Sequence, residues 1–137
     1  MVMPKIETFE CNVITPERTV LQCQARFVAF PAHDGEMGIL PNRAPLVCRL
    51  GVGLLRIDAE TEKHVLLIEG GFAQMARNRL TILAEQASRA GDIDAGEAAR
   101  ALADARQMQA TDDASTQLKA RAIQRARARQ RFAAHAT

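Results

Sequence analysis

Apolar and polar residues change rhythm near position 88. Before it, apolar residues come in short runs rich in β-formers; after it they recur at three- and four-residue steps. The first part therefore predicts strands over 6–13, 19–24, 25–30, 46–50, 54–58, 65–69, 72–76 and 80–84. In 6–13, Ile6, Thr8, Glu10 and Asn12 oppose Glu7, Phe9, Cys11 and Val13, so β-formers carry the assignment more than strict alternation. Turn signals are dense between the runs: Thr15-Pro16, Asp34-Gly35, Pro41-Asn42, Ala44-Pro45, Gly51-Val52-Gly53, Gly70-Gly71 and Asn78. Pro31 marks the end of the run over 25–30. The runs 54–58 and 65–68 flank a polar stretch, 59–64, and read as a hairpin. Short strands at such spacing point to an antiparallel sandwich or barrel.

From Gly91 the period is helical. Asp92 or Asp94 can cap the start, and Asp94 with Glu97 three residues on fits a capping box. Ala95, Ala98, Ala99, Leu102, Ala105 and Met108 form a shallow, alanine-rich stripe. Thr111-Asp112-Asp113 interrupts it and offers a fresh cap. A second helix follows with Leu118, Ala122, Ile123, Ala126 and Phe132 as its apolar side. Each helix should run about 16–20 residues, roughly 24–30 Å. The fold class is thus α+β, a sandwich domain over 1–87 and a helical hairpin over 88–137.

Charge sharpens the division. The 137 residues carry 18 Lys and Arg against 16 Asp and Glu, for a net charge of +2. Six of the basic residues (Lys119, Arg121, Arg125, Arg127, Arg129 and Arg131) lie in 119–131, and no acid follows Asp113. The first 118 residues are therefore net negative and the tail is strongly positive. Arginines two apart step about 200° around a helix, so they surround it and leave a thin apolar seam. A helix with so thin a seam should detach and redock at modest cost. Three uses fit the basic helix: a solvated face, nucleic-acid binding and docking on an acidic protein surface. Five of the six are Arg, which grips carboxylates bidentately, and Phe132 is the lone aromatic nearby for stacking on bases.

Catalytic chemistry is hard to assemble from this chain. Its two serines, Ser88 and Ser115, lie in or beside helical segments, outside any nucleophile-elbow context. His33, His64 and His135 read as turn or tail residues. His33-Asp34-Gly35-Glu36 lacks a second cluster at metal-ligand spacing. Gly35-x-x-Gly38 and Gly51-x-Gly53 join no strand to a helix and carry no phosphate-gripping lysine. Cys11, Cys23 and Cys48 form no CxxC pair and read as buried, reduced thiols of a cytoplasmic protein. No apolar run approaches the roughly 20 residues of a membrane span, and the N-terminus lacks a signal-peptide pattern. The residues point to a non-enzyme, with no metal and no cofactor.

The segment Gly35-Glu36-Met37-Gly38-Ile39-Leu40-Pro41-Asn42-Arg43-Ala44-Pro45-Leu46 resembles the hallmark of the epsilon subunit of F-type ATP synthase, approximately G-E-[LM]-G-I-L-P-G-H-A-P-L. Leu50-Gly51-Val52-Gly53-Leu54-Leu55-Arg56-Ile57, Glu69-Gly70-Gly71-Phe72, Leu80-Thr81-Ile82-Leu83-Ala84-Glu85 and Ala90-Gly91-Asp92-Ile93-Asp94 continue the likeness in order. The resemblance implies an antiparallel β-sandwich of about ten strands followed by an α-helical hairpin. It also implies a non-catalytic rotor subunit, peripheral at the cytoplasmic face of a bacterial inner membrane, touching the membrane only through its complex. Its implied partners are the gamma subunit, the c-ring subunits, and the alpha and beta subunits; nucleic acid is not among them.

The same resemblance assigns residues. Glu36 and Arg43 stand where the family's sandwich meets the c ring and gamma; Arg43 replaces a usual His and Asn42 a usual Gly. Arg121, Arg125, Arg127 and Arg129 would meet acidic loops of the catalytic beta subunits when the hairpin extends, blocking ATP hydrolysis. Ile93, Asp94 and Ala98 match part of an ATP-binding I/L-D-x-x-R-A motif found on the folded hairpin of some members. Glu97 occupies its Arg position, which implies weak ATP binding or none.

Overall fold

At Thr15-Pro16-Glu17-Arg18 the chain turns back on itself, and the Thr15 amide donates to the Arg18 carbonyl at 2.9 Å. The turn joins β1 (Phe9–Ile14) to β2 (Thr19–Ala32). The computed structural model of the protein describes residues 6–135. The N-terminal stretch through Lys5 lies outside the described residues. The chain divides into two compact units, 1–87 and 88–137.

In β1 the inward face is Phe9, Cys11 and Val13, all buried, while Glu10, Asn12 and Ile14 face outward. The strand starts at Phe9, because Ile6 is left 57% exposed with no core to enter. β3 (Gly35–Ile39), β4 (Leu46–Arg49), β5 (Val52–Ala59), β6 (Lys63–Ala76) and β7 (Arg79–Ser88) complete the unit. The expected hairpin is present as β5–β6, in register from Val52↔Glu69 to Asp58↔Lys63.

Among the described residues seven strands stand in place of the ten of the resemblance, and the difference has a physical cause. β2 and β6 are each 14 residues long and change partners along their length. β2 pairs with β1 through Ala25, then with β5 and β3. A register shift between Ala25 and Phe27 marks the change. β6 pairs with β5 up to Glu69 and with β4 from Phe72 onward. Gly70-Gly71, expected to separate two strands, instead bends one. Their φ angles are 76° and 115°, and a Cβ on Gly71 would stand 2.0 Å from the Leu83 carbonyl oxygen. Pro31 likewise stays inside β2, because its carbonyl still accepts from the Gly51 amide at 2.9 Å.

β3 was hidden by its glycines. Gly38 pairs with Ala29 inside the ladder, and the Phe27 ring covers it so closely that a Cβ would meet that ring at 2.9 Å. One pairing also departs from the antiparallel rule: β1 runs parallel to β7, from Glu10↔Arg79 to Ile14↔Leu83. The order β1-β7-β6-β5-β2-β3, with β1 also bonded to β2, closes the sheet on itself. Glu10 sits at this closure. Hydrogen bonds from Gln22 on β2 and Arg79 on β7 hold its carboxyl below the usual 4.5. Phe30, Ile39, Leu55, Ile68, Met75 and Ile82 fill the interior with no exposure, each contributing roughly 1.5–3 kcal/mol relative to an exposed side chain.

In the second unit, α1 (Ala95–Arg106) has 12 residues and α2 (Asp113–His135) has 23, about 18 and 35 Å at 1.5 Å per residue. They pack against each other. The helices are less equal than the spacing suggested, since Gln107 and Met108 already leave α1 through the turn that leads to α2. The buried stripe of α1 is only Ala98, Leu102 and Ala105, and α2 buries Ala126, Ala128 and Phe132. Leu118, expected on the apolar side, is 58% exposed.

The two-partner bend in β6 has a measurable consequence. Gly71→Ala should lower stability by about 3 kcal/mol or more, through both the clash and the strained φ. Gly91→Ala, with nothing within 4 Å and no positive φ, should stay within about 0.5 kcal/mol. Urea denaturation of the two variants checks the pair.

Candidate interaction surfaces

Glu36 and Arg43 belong to neighbouring pieces of chain but to different local networks. Glu36 lies on β3, and both its carboxylate oxygens accept from one Arg56 nitrogen on β5, at 2.7 and 2.9 Å. Both side chains are 56% exposed, so the ion pair stabilises by at most about 1 kcal/mol and orients the carboxylate more than it binds it. Arg56 is a partner that sequence reading missed; only the β2–β3 and β2–β5 registers bring it alongside.

Arg43 is in the loop after β3 and donates only a long 3.5 Å bond to the Ala44 carbonyl. Asn42 holds that loop. It adopts φ 63°, as expected for an Asn standing where the hallmark has Gly. Its amide donates to Asn78 Oδ1 at 2.7 Å and its side chain to Glu7 at 3.1 Å. Leu40, at the loop's start, is 61% exposed. The result is a fixed loop that presents an apolar side chain and a cation to solvent.

On α2, Arg121 and Arg125 are exposed and Arg129 half-buried, and their four-residue steps set them along one face. Arg127 is exposed on a second face, between buried Ala126 and Ala128. The two-apart spacing thus resolves into two arginine lines, Arg121, Arg125 and Arg129 along one face and Arg127 with the exposed Arg131 along the other. Arg125 and Arg129 each have an interaction within the chain.

Ile93, Asp94 and Ala98 do come together, at the start of α1. Ile93 and Ala98 are buried, and the Ala98 amide donates to the Asp94 carbonyl at 3.0 Å. The Asp94 carboxylate is occupied as the helix cap, accepting from the Gly96 and Glu97 amides at 2.7 and 3.1 Å. Asp94, not Asp92, caps the helix; Asp92 ends a single 3₁₀ turn over Ala90–Asp92. Glu97 is exposed beside it, so the local charge is negative.

The catalytic candidates stay apart. Ser115 is a capping residue of α2, and Ser88 ends β7. His64 is not in a turn: it lies in β6, with Nε2 3.3 Å from a Glu62 oxygen. His33 is in the β2–β3 turn. Among the described residues no three His, Cys, Asp or Glu side chains cluster as metal ligands, and no helix is long and apolar enough to cross a membrane.

The two units are a closed β-sandwich and a two-helix hairpin, and Glu36, Arg43, Arg121, Arg125 and Arg127 are exposed on them. Residues 8–90 match the family model described as ATP synthase, Delta/Epsilon chain, beta-sandwich domain. The chain is 38% identical over 120 residues to an ATP synthase epsilon chain of Rhodopirellula baltica, covering 88% of this chain and 94% of that one. It therefore belongs to the ATP synthase epsilon family. The fold is shared with a chain in the Euglena gracilis mitochondrial ATP synthase (OSCP/F1/c-ring), with TM-score 0.79, 23% identity and coverage of 98% and 91%. It is shared also with one in the Tetrahymena thermophila mitochondrial ATP synthase (central stalk/c-ring), with TM-score 0.69, 16% identity and coverage of 95% and 99%.

The cap of α2 makes this unit acid-sensitive. Asp112 Oδ1 accepts from the Ser115 amide at 2.7 Å, while Ser115 Oγ accepts from the Thr111 and Asp112 amides at 3.0 and 3.1 Å. The bonds from Ser115 hold the Asp112 carboxyl below its ordinary 3.8. A depressed folded value means the stabilisation is complete above the unfolded value and lost as pH falls through the folded one. Amide exchange at Ser115 should accelerate, relative to mid-α2 amides, only below about pH 4. Equal protection at pH 3 and pH 6 would contradict the capping assignment.

Proposed function

We propose that the chain is the non-catalytic central-stalk subunit of an F-type ATP synthase. Residues 1–87 hold the gamma subunit to the c ring, and residues 88–137 restrain ATP hydrolysis. The observation that carries the reading is the 38% identity with an epsilon chain across 94% of that chain's length, which reaches beyond the sandwich. The two structural neighbours, one in an OSCP/F1/c-ring assembly and the other in a central stalk/c-ring, fit it. The setting is peripheral, at the cytoplasmic face of a bacterial inner membrane, with the membrane reached only through the complex.

Each surface then has a use. The loop carrying Leu40 and Arg43, with the Glu36–Arg56 pair on the adjoining strands, forms the contact toward the c ring and gamma. Arg43 is a permanent cation where the family hallmark has a titratable His, so this contact keeps its charge across physiological pH. On the hairpin, Arg121, Arg125, Arg127 and Arg129 face acidic loops of the catalytic beta subunits. A pair at 4 Å is worth about 1 kcal/mol in water and about 4 kcal/mol at the effective dielectric of a partly buried protein site. A confined cleft in the catalytic head therefore strengthens the same arginines that contribute little in solution.

Replacing all four arginines by Ala should leave binding to gamma intact and raise the concentration for half-inhibition of ATPase at least about tenfold. Unchanged inhibition would make α2 a static prop. At the nucleotide motif, the capped Asp94 and the exposed Glu97 both oppose an anionic ligand. Calorimetry of the isolated chain should give no saturable heat at micromolar ATP; a saturable isotherm would contradict this.

A further inference from the structure

Two of the three cysteines stand directly opposite each other. Cys11 on β1 and Cys23 on β2 are register partners in an antiparallel ladder, so their side chains share one face. Opposed residues have Cα atoms about 4.5–5.5 Å apart, inside the span of about 4.4–6.8 Å that a disulfide bridges. Each thiol is thus the other's neighbour across the ladder. Cys11 is wholly buried and Cys23 half-buried, which leaves one sulfur within reach of a small solute. Cys48 makes a natural control: it lies on β4 opposite Ala73, away from the other two in the sheet order.

We propose that Cys11 and Cys23 are a reversible oxidative modification site, a dithiol that a small hydroperoxide converts to a disulfide. The roles follow from exposure, and the opposite directions in which the two thiols are shifted agree with it. The hydrogen bond between the thiols lowers Cys23 below its usual value against burial and Glu62; the same bond and burial push Cys11 up. Cys23 is thus the attacking thiolate and Cys11 the resolving thiol. The Cys23 sulfur attacks one peroxide oxygen, the O–O bond breaks, and the departing hydroxide or alkoxide takes a proton. The sulfenic acid on Cys23 is then attacked by the Cys11 sulfur. The S–O bond breaks, hydroxide leaves with the Cys11 proton as water, and the S–S bond forms. Both sulfurs are oxidised by one electron each, and the peroxide receives the two electrons. A dithiol reductant reverses the step.

The bond would staple β1 to β2, the pairing that closes the sheet. The site stands independently of the stalk assignment, because it rests on the β1–β2 register and on the unequal burial of the two cysteines.

The test uses the full reduced chain, dilute, treated with hydrogen peroxide, then unfolded and alkylated. Trypsin cuts after Arg18 and Arg26, so the expected product is peptide 6–18 joined to peptide 19–26, two hydrogens lighter than their sum. Dithiothreitol should separate them, and Cys48 should be found alkylated in most of the chain. The Cys48→Ser chain should behave alike. Cys23 carried to sulfinic acid with Cys11 alkylated would overturn the proposal. So would disulfides only between copies, or all three thiols alkylated under conditions that oxidise free cysteine.

Discussion

β2 and β6 are each shared between partners, and the architecture of the first unit depends on that sharing. A 14-residue strand spans nearly twice the length a single neighbour needs. β2 hands its ladder from β1 to β5 at the Ala25–Phe27 irregularity, and β6 hands its own from β5 to β4 at Gly70-Gly71. Each transfer bends the sheet, and together they let β1 reach both β2 and β7. Closure leaves fewer edge amides unpaired, encloses the core that includes Phe30, Ile68 and Met75, and fixes the outer loops that carry Leu40 and Arg43.

The hairpin follows a different principle. Its buried residues are mostly alanines, so its apolar gain per turn is small, while its caps at Asp94 and Asp112 are fully formed. Local hydrogen bonds rather than a deep core define where each helix starts. Such a unit keeps its helices intact while contributing little apolar surface to any one docking site. That combination suits the restraining role proposed for the hairpin, in which the α2 arginines would meet an acidic surface.

Much of this was legible in the residues. The β-formers, turn signals and hairpin over 54–68 marked the sandwich, and Asp94 with Glu97 marked the start of α1. What escaped depended on non-local pairing. Gly35 and Gly38 read as turn residues because nothing in sequence places Phe27 over Gly38. The parallel β1–β7 pairing joins residues about seventy apart. Arg56 became visible as the Glu36 partner only through register. Cys11 opposite Cys23 follows from a hairpin centred on residue 17, a symmetry that reading the cysteines one by one passes over. The roles proposed for Arg43 and the α2 arginines come from the family resemblance rather than from spacing.

The division of labour between anchor and inhibitor is tested most directly by a steady-state ATPase assay on the catalytic head stripped of its epsilon subunit. The full chain and a version ending after Ser88 are added back separately. The full chain should lower hydrolysis, and the shortened one should bind gamma without lowering it. If the shortened chain inhibits as well as the full one, or if both bind and neither inhibits, the hairpin is not the restraining element.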